Sequence, residues 1–171
     1  TVAHVNDSGY AEIWNLLSGQ REAVLTNANG RISDVAFSQD GNFLATAGTN
    51  TEIRLWKTRD WSSEPLSGRL PGSVHRLVFS ADGTRIAAAG SATASMVIDL
   101  SSRKTILSLD GQGHVFAGLA FSPDGTKLAA GIAGNVIHLW DLNELKKIAL
   151  LRGHVGGIGG LAFSPDGRTL A

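Results

Sequence analysis

Cysteine is absent from the 171-residue sequence. A disulfide framework, a thiolate zinc site and a thiol nucleophile are therefore excluded. The absence is compatible with a reducing compartment, and a cytoplasmic location is expected. An excess of one charge is also missing: Lys plus Arg and Asp plus Glu each number 15, so the formal net charge is zero. Binding to a phosphate backbone requires concentrated positive charge, so nucleic acid is not an expected partner. No run of like charges marks a tail. No apolar run approaches the roughly 20 residues of a membrane span, no signal-peptide pattern is present, and no membrane partner is expected. The sequence starts at Thr1 and has one methionine, Met96. It is expected to be a piece of a longer protein.

Glycine is abundant, with 21 residues spread along the chain. That distribution calls for many tight turns. The turns repeat. The strings FSQDG, FSADG, FSPDG and FSPDG place phenylalanines at Phe37, Phe79, Phe121 and Phe163, a constant step of 42 residues. The Asp-Gly pairs are Asp40-Gly41, Asp82-Gly83, Asp124-Gly125 and Asp166-Gly167. A second landmark keeps the same step: Trp14, Trp56, Ile98 and Trp140.

Each unit reads as four strands, a to d. Strand a is an apolar run ending in the phenylalanine, and the Asp-Gly turn follows. A small, apolar strand b comes next, then a polar loop, the tryptophan strand c, a second turn and strand d. Strands that are apolar throughout fit sheets covered on both faces. Four short antiparallel strands per unit of this length is the pattern of a β-propeller blade. The expected class is all-β, with four such repeats forming a partial or small propeller. The expected division is strands b to d of one blade at 1–26, whole blades at 31–70, 73–110 and 115–151, and strands a and b of a further blade at 157–171. Residues 157–164 are the alternative source of a closing strand for a four-bladed ring, although a slice of a longer ring fits the duplicated strand b better. The apolar Phe121 is placed in the core, where truncation to alanine costs about 3–5 kcal/mol.

The repeat resembles the WD-repeat β-propeller family over essentially the whole chain. The Phe-Ser-Pro-Asp-Gly turn, the Trp140-Asp141 pair ending strand c, and Gly153-His154 between strands d and a carry the resemblance. Trp14, Trp56 and Ile98 are followed by Asn15, Lys57 and Asp99. The family's buried His, Asp, Ser/Thr and Trp network implies a structural role for His154. Its turn aspartate, six residues before the tryptophan, is replaced by Ser8, Asn50, Ala92 and Gly134. The blades are therefore expected to rely on apolar packing and backbone ladders.

No catalytic, metal or cofactor site is expected. The histidines are scattered without metal-ligand spacing, and the recurring aspartates are turn formers. The serines have no adjacent base, and the Gly-rich run at 156–160 leads into no helix. That run is expected to let strand a crowd its neighbours. Binding remains. The a–b turns are nearly uniform, whereas the d–a and b–c loops, which share the opposite rim, vary. The resemblance implies protein or peptide partners on this rim, at Tyr10, Arg31, Asn50, His75, His114, Phe116 and Asn135. It also implies an interaction scaffold within a larger regulatory or signalling protein of prokaryotic type. The alternatives are a structural spacer array and a propeller enzyme or sugar-binding propeller. An incomplete ring would offer its exposed blade edges for self-association.

Overall fold

A computed structural model describes residues 1–27, 30–49, 51–66, 72–91, 95–110, 116–132 and 135–171. Among them are fifteen strands and no helix. The first sheet has three strands, β1 (Val2–Val5), β2 (Ala11–Trp14) and β3 (Arg21–Leu25). Three four-stranded meanders follow. The second sheet holds β4 (Ile32–Phe37), β5 (Phe43–Gly48), β6 (Arg54–Lys57) and β7 (Ser63–Pro65). The third holds β8 (Val74–Phe79), β9 (Arg85–Gly90), β10 (Met96–Asp99) and β11 (Lys104–Ser108). The fourth holds β12 (Phe116–Phe121), β13 (Lys127–Ile132), β14 (Val136–Asp141) and β15 (Lys146–Leu151). Beyond β15, Phe163 bridges Leu170, and Ala162 and Ala171 exchange backbone hydrogen bonds. This last hairpin packs Ile158 onto Ala129 and Ile137 of the fourth sheet. Residues 157–164 add no strand to the first sheet, so the four-bladed closure is not adopted.

Successive sheets stack through their faces, and the second strand of each is the layer between. β5, β9 and β13 share one burial pattern, half-buried at the first residue and buried at the next five. Alternate side chains point to opposite faces. Leu44 accordingly joins the cluster with Ile13, whereas Ala45 joins the one with Ile86. Two buried faces explain why these strands are apolar without alternation. The inner strands β4, β8 and β12 pack against one another, which is where the blades converge.

The Ser-x-Asp-Gly turns have one shared architecture. In each, the serine hydroxyl donates to the aspartate two residues on, at 2.5 to 2.6 Å. The serine oxygen in turn accepts the N–H five residues on, from Phe43, Arg85, Lys127 and Thr169. The aspartate also accepts the N–H two residues after itself. The glycines have φ of 69° to 72°, the left-handed region. Ser38, Ser80 and Ser122 are buried, so the hydroxyl replaces water for a backbone amide that the turn would otherwise strand. The serines are thus structural partners of the aspartates, a role that the sequence reading did not assign.

Hydrogen bonding holds all four turn carboxyls below their ordinary range, with the serine hydroxyl as the largest cause. For Asp124 the value is about 2. A folded-state value below the unfolded one stabilises the fold fully above the unfolded value, 3.8, and the contribution is lost as pH falls through about 2. The melting temperature should therefore fall between about pH 4 and pH 2. Asp124→Asn, which keeps an acceptor oxygen, should make that decline shallower in a calorimetric pH series. An unchanged slope would show that the turn carboxylates do not couple to folding.

The c–d turns repeat a different constraint. Gly19, Trp61, Arg103 and Leu145, each 42 residues apart, all adopt positive φ, between 52° and 67°. The turn geometry demands the left-handed region in every blade, but only the first supplies glycine. A side chain costs about 1–2 kcal/mol there. Leu145 is 43% exposed, so it has little packing to lose. Leu145→Gly is expected to stabilise the protein by about 0.5–1 kcal/mol in urea melts; a loss of stability would contradict the assigned strain.

The polar network of the family is partly present, contrary to expectation. Trp56 Nε1 donates to Thr46 Oγ1 at 3.0 Å, and the Thr46 hydroxyl reaches Asn27 Oδ1 at 3.5 Å. In the fourth sheet Ala130 takes the place of Thr46, and Trp140 Nε1 is buried without a partner among the described residues. His154 is exposed. A Cβ at Gly156, Gly157, Gly159 or Gly160 would meet nothing within 4 Å; where this run meets the fourth sheet, the close approaches are at Gly118, beside Leu161 and Gly160, and at Gly131, beside Ile158.

Candidate functional site

Meander order puts the b–c and d–a connections at one rim. Arg31 ties two blades together there. Its guanidinium donates to the Asp7 carbonyl, and the Gly9 carbonyl accepts the Ile32 N–H at 2.8 Å. A Cβ on Gly9 would lie 2.6 Å from Arg31 Cβ, so glycine is required sterically as well as by its φ of 78°. Tyr10, the next residue, is 45% exposed. The structure therefore brings Tyr10 and Arg31 to one place. Asn135 is half-buried with φ of 63° at the start of the fourth blade's strand c.

Two expected rim residues lie in strands. His75 is an exposed residue of β8 at its register shift, between Val74 and Arg76. Phe116 is the first residue of β12 and fully buried. It contacts the His138 ring edge-on, with 6.0 Å between centroids. Phe116 is therefore a core residue and not a surface contact: the chain enters the strand before it, and a side chain there points between sheets. Asn50 and His114 lie outside the described residues.

The sequence reading missed Asp34. It shares its repeat position with Arg76, Gly118 and Gly160 on the converging inner strands. Together these four line an opening of about 300 Å³ where the blades meet. Asp34 Oδ2 accepts the Leu77 N–H at 2.7 Å, linking the second and third sheets. Burial pushes its carboxyl up, while the Leu77 amide and the Arg76 charge pull it down. Net, it opposes the turn aspartates, since a raised value favours the fold as pH falls. Comparing the four equivalent positions would have revealed it, because opposite charges at Asp34 and Arg76 where two blades have glycine are not demanded by the repeat.

His138 is the one buried histidine among the described residues. Burial, reinforced by the Lys147 charge, lowers its pKa. It sits beside Phe116 and Trp140, which is a packing environment. Among the described residues no group of three or more His, Asp or Glu is placed to hold a metal. No helix among them is long and apolar enough to cross a membrane.

The family model for the WD domain, G-beta repeat, matches residues 19–57, 103–141 and 145–171, more than half of the chain. The chain belongs to the WD-repeat family. Comparison with curated proteins gives no match. Each of the first two matched segments of this WD-repeat chain runs from strand d of one blade through strand c of the next. The family's sequence unit is thus offset by one strand from its structural blade. The stretch between those segments carries Ile98 in place of tryptophan. Ile98 is fully buried, so it fills the same core position without the indole. The family's aspartate after tryptophan also has a physical role here. Asp141 accepts the N–H groups of Asn143 and Glu144, and Asn15 and Asp99 cap their own c–d turns. WD-repeat domains are generally non-catalytic modules that mediate protein–protein interaction.

Proposed function

We propose that the WD-repeat chain is a protein-interaction scaffold within a larger regulatory or signalling protein. Its partner-binding face is the rim of b–c and d–a connections. One observation carries this reading: the opposite rim repeats a single hydrogen-bonded a–b turn four times, whereas this rim differs from blade to blade. Repetition serves the fold, and variation on a rigid frame serves recognition. Tyr10, Arg31, His75 and Asn135 belong to the face, as do Asn50 and His114 by their positions in the repeat. Phe116 does not. Tyr10 offers a rigid ring with a polar tip, the side-chain type that anchors interfaces. The partner is a protein or peptide.

The test is a quantitative pull-down with the intact protein, captured proteins being identified by mass spectrometry. Tyr10→Ala with His75→Ala should leave the melt unchanged, because both side chains are exposed. The same pair should deplete specific partners at least tenfold. Unchanged capture by this pair and by the six-residue alanine variant would overturn the assignment.

A further inference from the structure

Four tryptophans occur in the sequence, and Trp14, Trp56 and Trp140 belong to the strand-c series. Trp61 does not. It occupies the c–d turn of the second blade, with φ of 55°. A bulky side chain is disfavoured in that backbone region. Strain kept at such a residue points to a use for its side chain. The Trp61 ring is half-buried and packs, together with Phe37, against the cluster between the first and second sheets. Trp61 also lines an opening of about 580 Å³ between those blades, with Thr1, Glu22, Phe37, Gly41 and Thr58.

The same junction recurs one repeat later. Phe43, Glu64, Gly83, Leu100 and Arg103 stand 42 residues after Thr1, Glu22, Gly41, Thr58 and Trp61, and they line a groove of about 740 Å³ between the second and third blades. There the Arg103 guanidinium, on a turn with φ of 57°, reaches back to the Glu64 carboxylate of the preceding blade. At the first junction Trp61 replaces Arg103, and Glu22 receives no such cation. Glu22 is exposed, and Asn15 Nδ2 donates to its Oε1 at 2.8 Å. Among the described residues neither a side chain nor the Thr1 amine forms an ion pair with it. The neighbouring cations are engaged elsewhere: Arg21 pairs with Glu12, Arg59 pairs with Asp60, and the Lys57 charge acts on Glu64. A carboxylate that the repeat shows accepting a guanidinium is thus left without one, beside two aromatic residues.

We propose that the opening between the first and second blades binds the guanidinium of an arginine side chain on a partner protein. Glu22 accepts its N–H groups, and the Trp61 ring packs against its plane. The chain itself supplies the precedent in Arg103 on Glu64. A guanidinium is planar, so it forks onto a carboxylate and stacks on an aromatic face at once, which the compact ammonium of lysine does not. The aromatic contact adds attraction that an exposed carboxylate alone does not supply. The site lies on the rim of a–b and c–d turns, so it is independent of the face proposed above.

The test follows the indole N–H resonance of Trp61 in two-dimensional NMR spectra of the intact protein, assigned through Trp61→Phe. The probe is a Gly-Arg-Gly tripeptide with both ends capped. It should shift that resonance saturably, and more weakly as salt rises. The citrulline analogue has the same shape without the charge, and it should bind at least tenfold more weakly. Glu22→Gln keeps an acceptor for Asn15, so it should leave the melting temperature unchanged while weakening the tripeptide at least tenfold. Trp61→Arg should install the arrangement of the next junction, its own guanidinium occupying Glu22, and the backbone amides of Gly41 and Thr58 should then no longer respond to the probe. Free arginine should bind no more tightly than the tripeptide, as a site for a side chain on a partner protein requires. Tyr10→Ala with His75→Ala should leave the titration unchanged, which separates this result from the fate of the other rim. Any of four results would overturn the proposal: no saturable shift, equal affinity for the citrulline analogue, full affinity in Glu22→Gln, or tighter binding of free arginine than of the tripeptide.

Discussion

Phe116→Ala should lower the unfolding free energy by about 3–5 kcal/mol, and Phe121→Ala by about 2 kcal/mol or less. The ordering reverses what the repeat suggests. Phe121 belongs to the conspicuous Phe-Ser-x-Asp-Gly landmark, yet it is half-buried at the margin of the cluster between the third and fourth sheets, as Phe37, Phe79 and Phe163 are half-buried at their own sites. Phe116 has no exposure and lies inside that cluster with Leu128 and Trp140. Truncating it removes a whole ring from a site walled by two sheets, and leaves the buried His138 with Trp140 as its remaining aromatic neighbour. Sheets held by backbone ladders collapse poorly around such a void, so the cavity contribution persists. Urea melts of both variants decide the point. Equal costs would mean that the landmark phenylalanine, and not Phe116, is the packing anchor.

Gly90→Ala should cost about 3 kcal/mol, while Gly83→Ala costs only about 1 kcal/mol. Both residues are glycines of the third blade, but they are held for different reasons. A Cβ on Gly90 would lie 1.9 Å from the Ser73 carbonyl oxygen and 2.9 Å from Val74 Cα. Those are backbone atoms, and the Ser73 carbonyl is fixed by the Ser91 N–H at 3.0 Å. No rotamer change relieves the overlap; the register shift between Val74 and Arg76 has to reorganise. Gly48 makes the same approach to the Arg31 carbonyl, at 1.8 Å, beside the shift in β4. At Gly83 φ is 69° and a Cβ meets nothing, so only the left-handed backbone is penalised. Thermal melts of the pair compare the two causes directly. A Gly83 variant as damaged as the Gly90 variant would show that turn conformation, rather than backbone contact, controls this blade.

The repeat was legible because 42-residue periodicity needs no contact information. Strand order, turn positions and the uniform a–b rim all follow from local pattern and Asp-Gly chemistry. Local pattern also identified the variable rim, since loop composition can be compared directly between repeats. The same logic misassigned Phe116, because a residue one step inside a strand and one step outside it look alike in sequence. The pairing of Ser38 with Asp40, and its three copies, was hidden for another reason: a hydroxyl that serves its own turn has no signature distinguishing it from a solvated serine.

By itself, then, the sequence determined the class, the strand succession and the periodic turns, since these depend on residue spacing and backbone preferences within one unit. Tertiary structure alone decided which side chains are buried between blades, as with Phe116 and Ala130. It decided where backbone meets backbone, as at Gly48 and Gly90. It also placed Lys57, Arg85 and Glu64 around one groove and Asp34 beside Arg76 at the centre. Each of these depends on the stacking of one sheet on the next, and that geometry is a property of pairs of units rather than of any one of them.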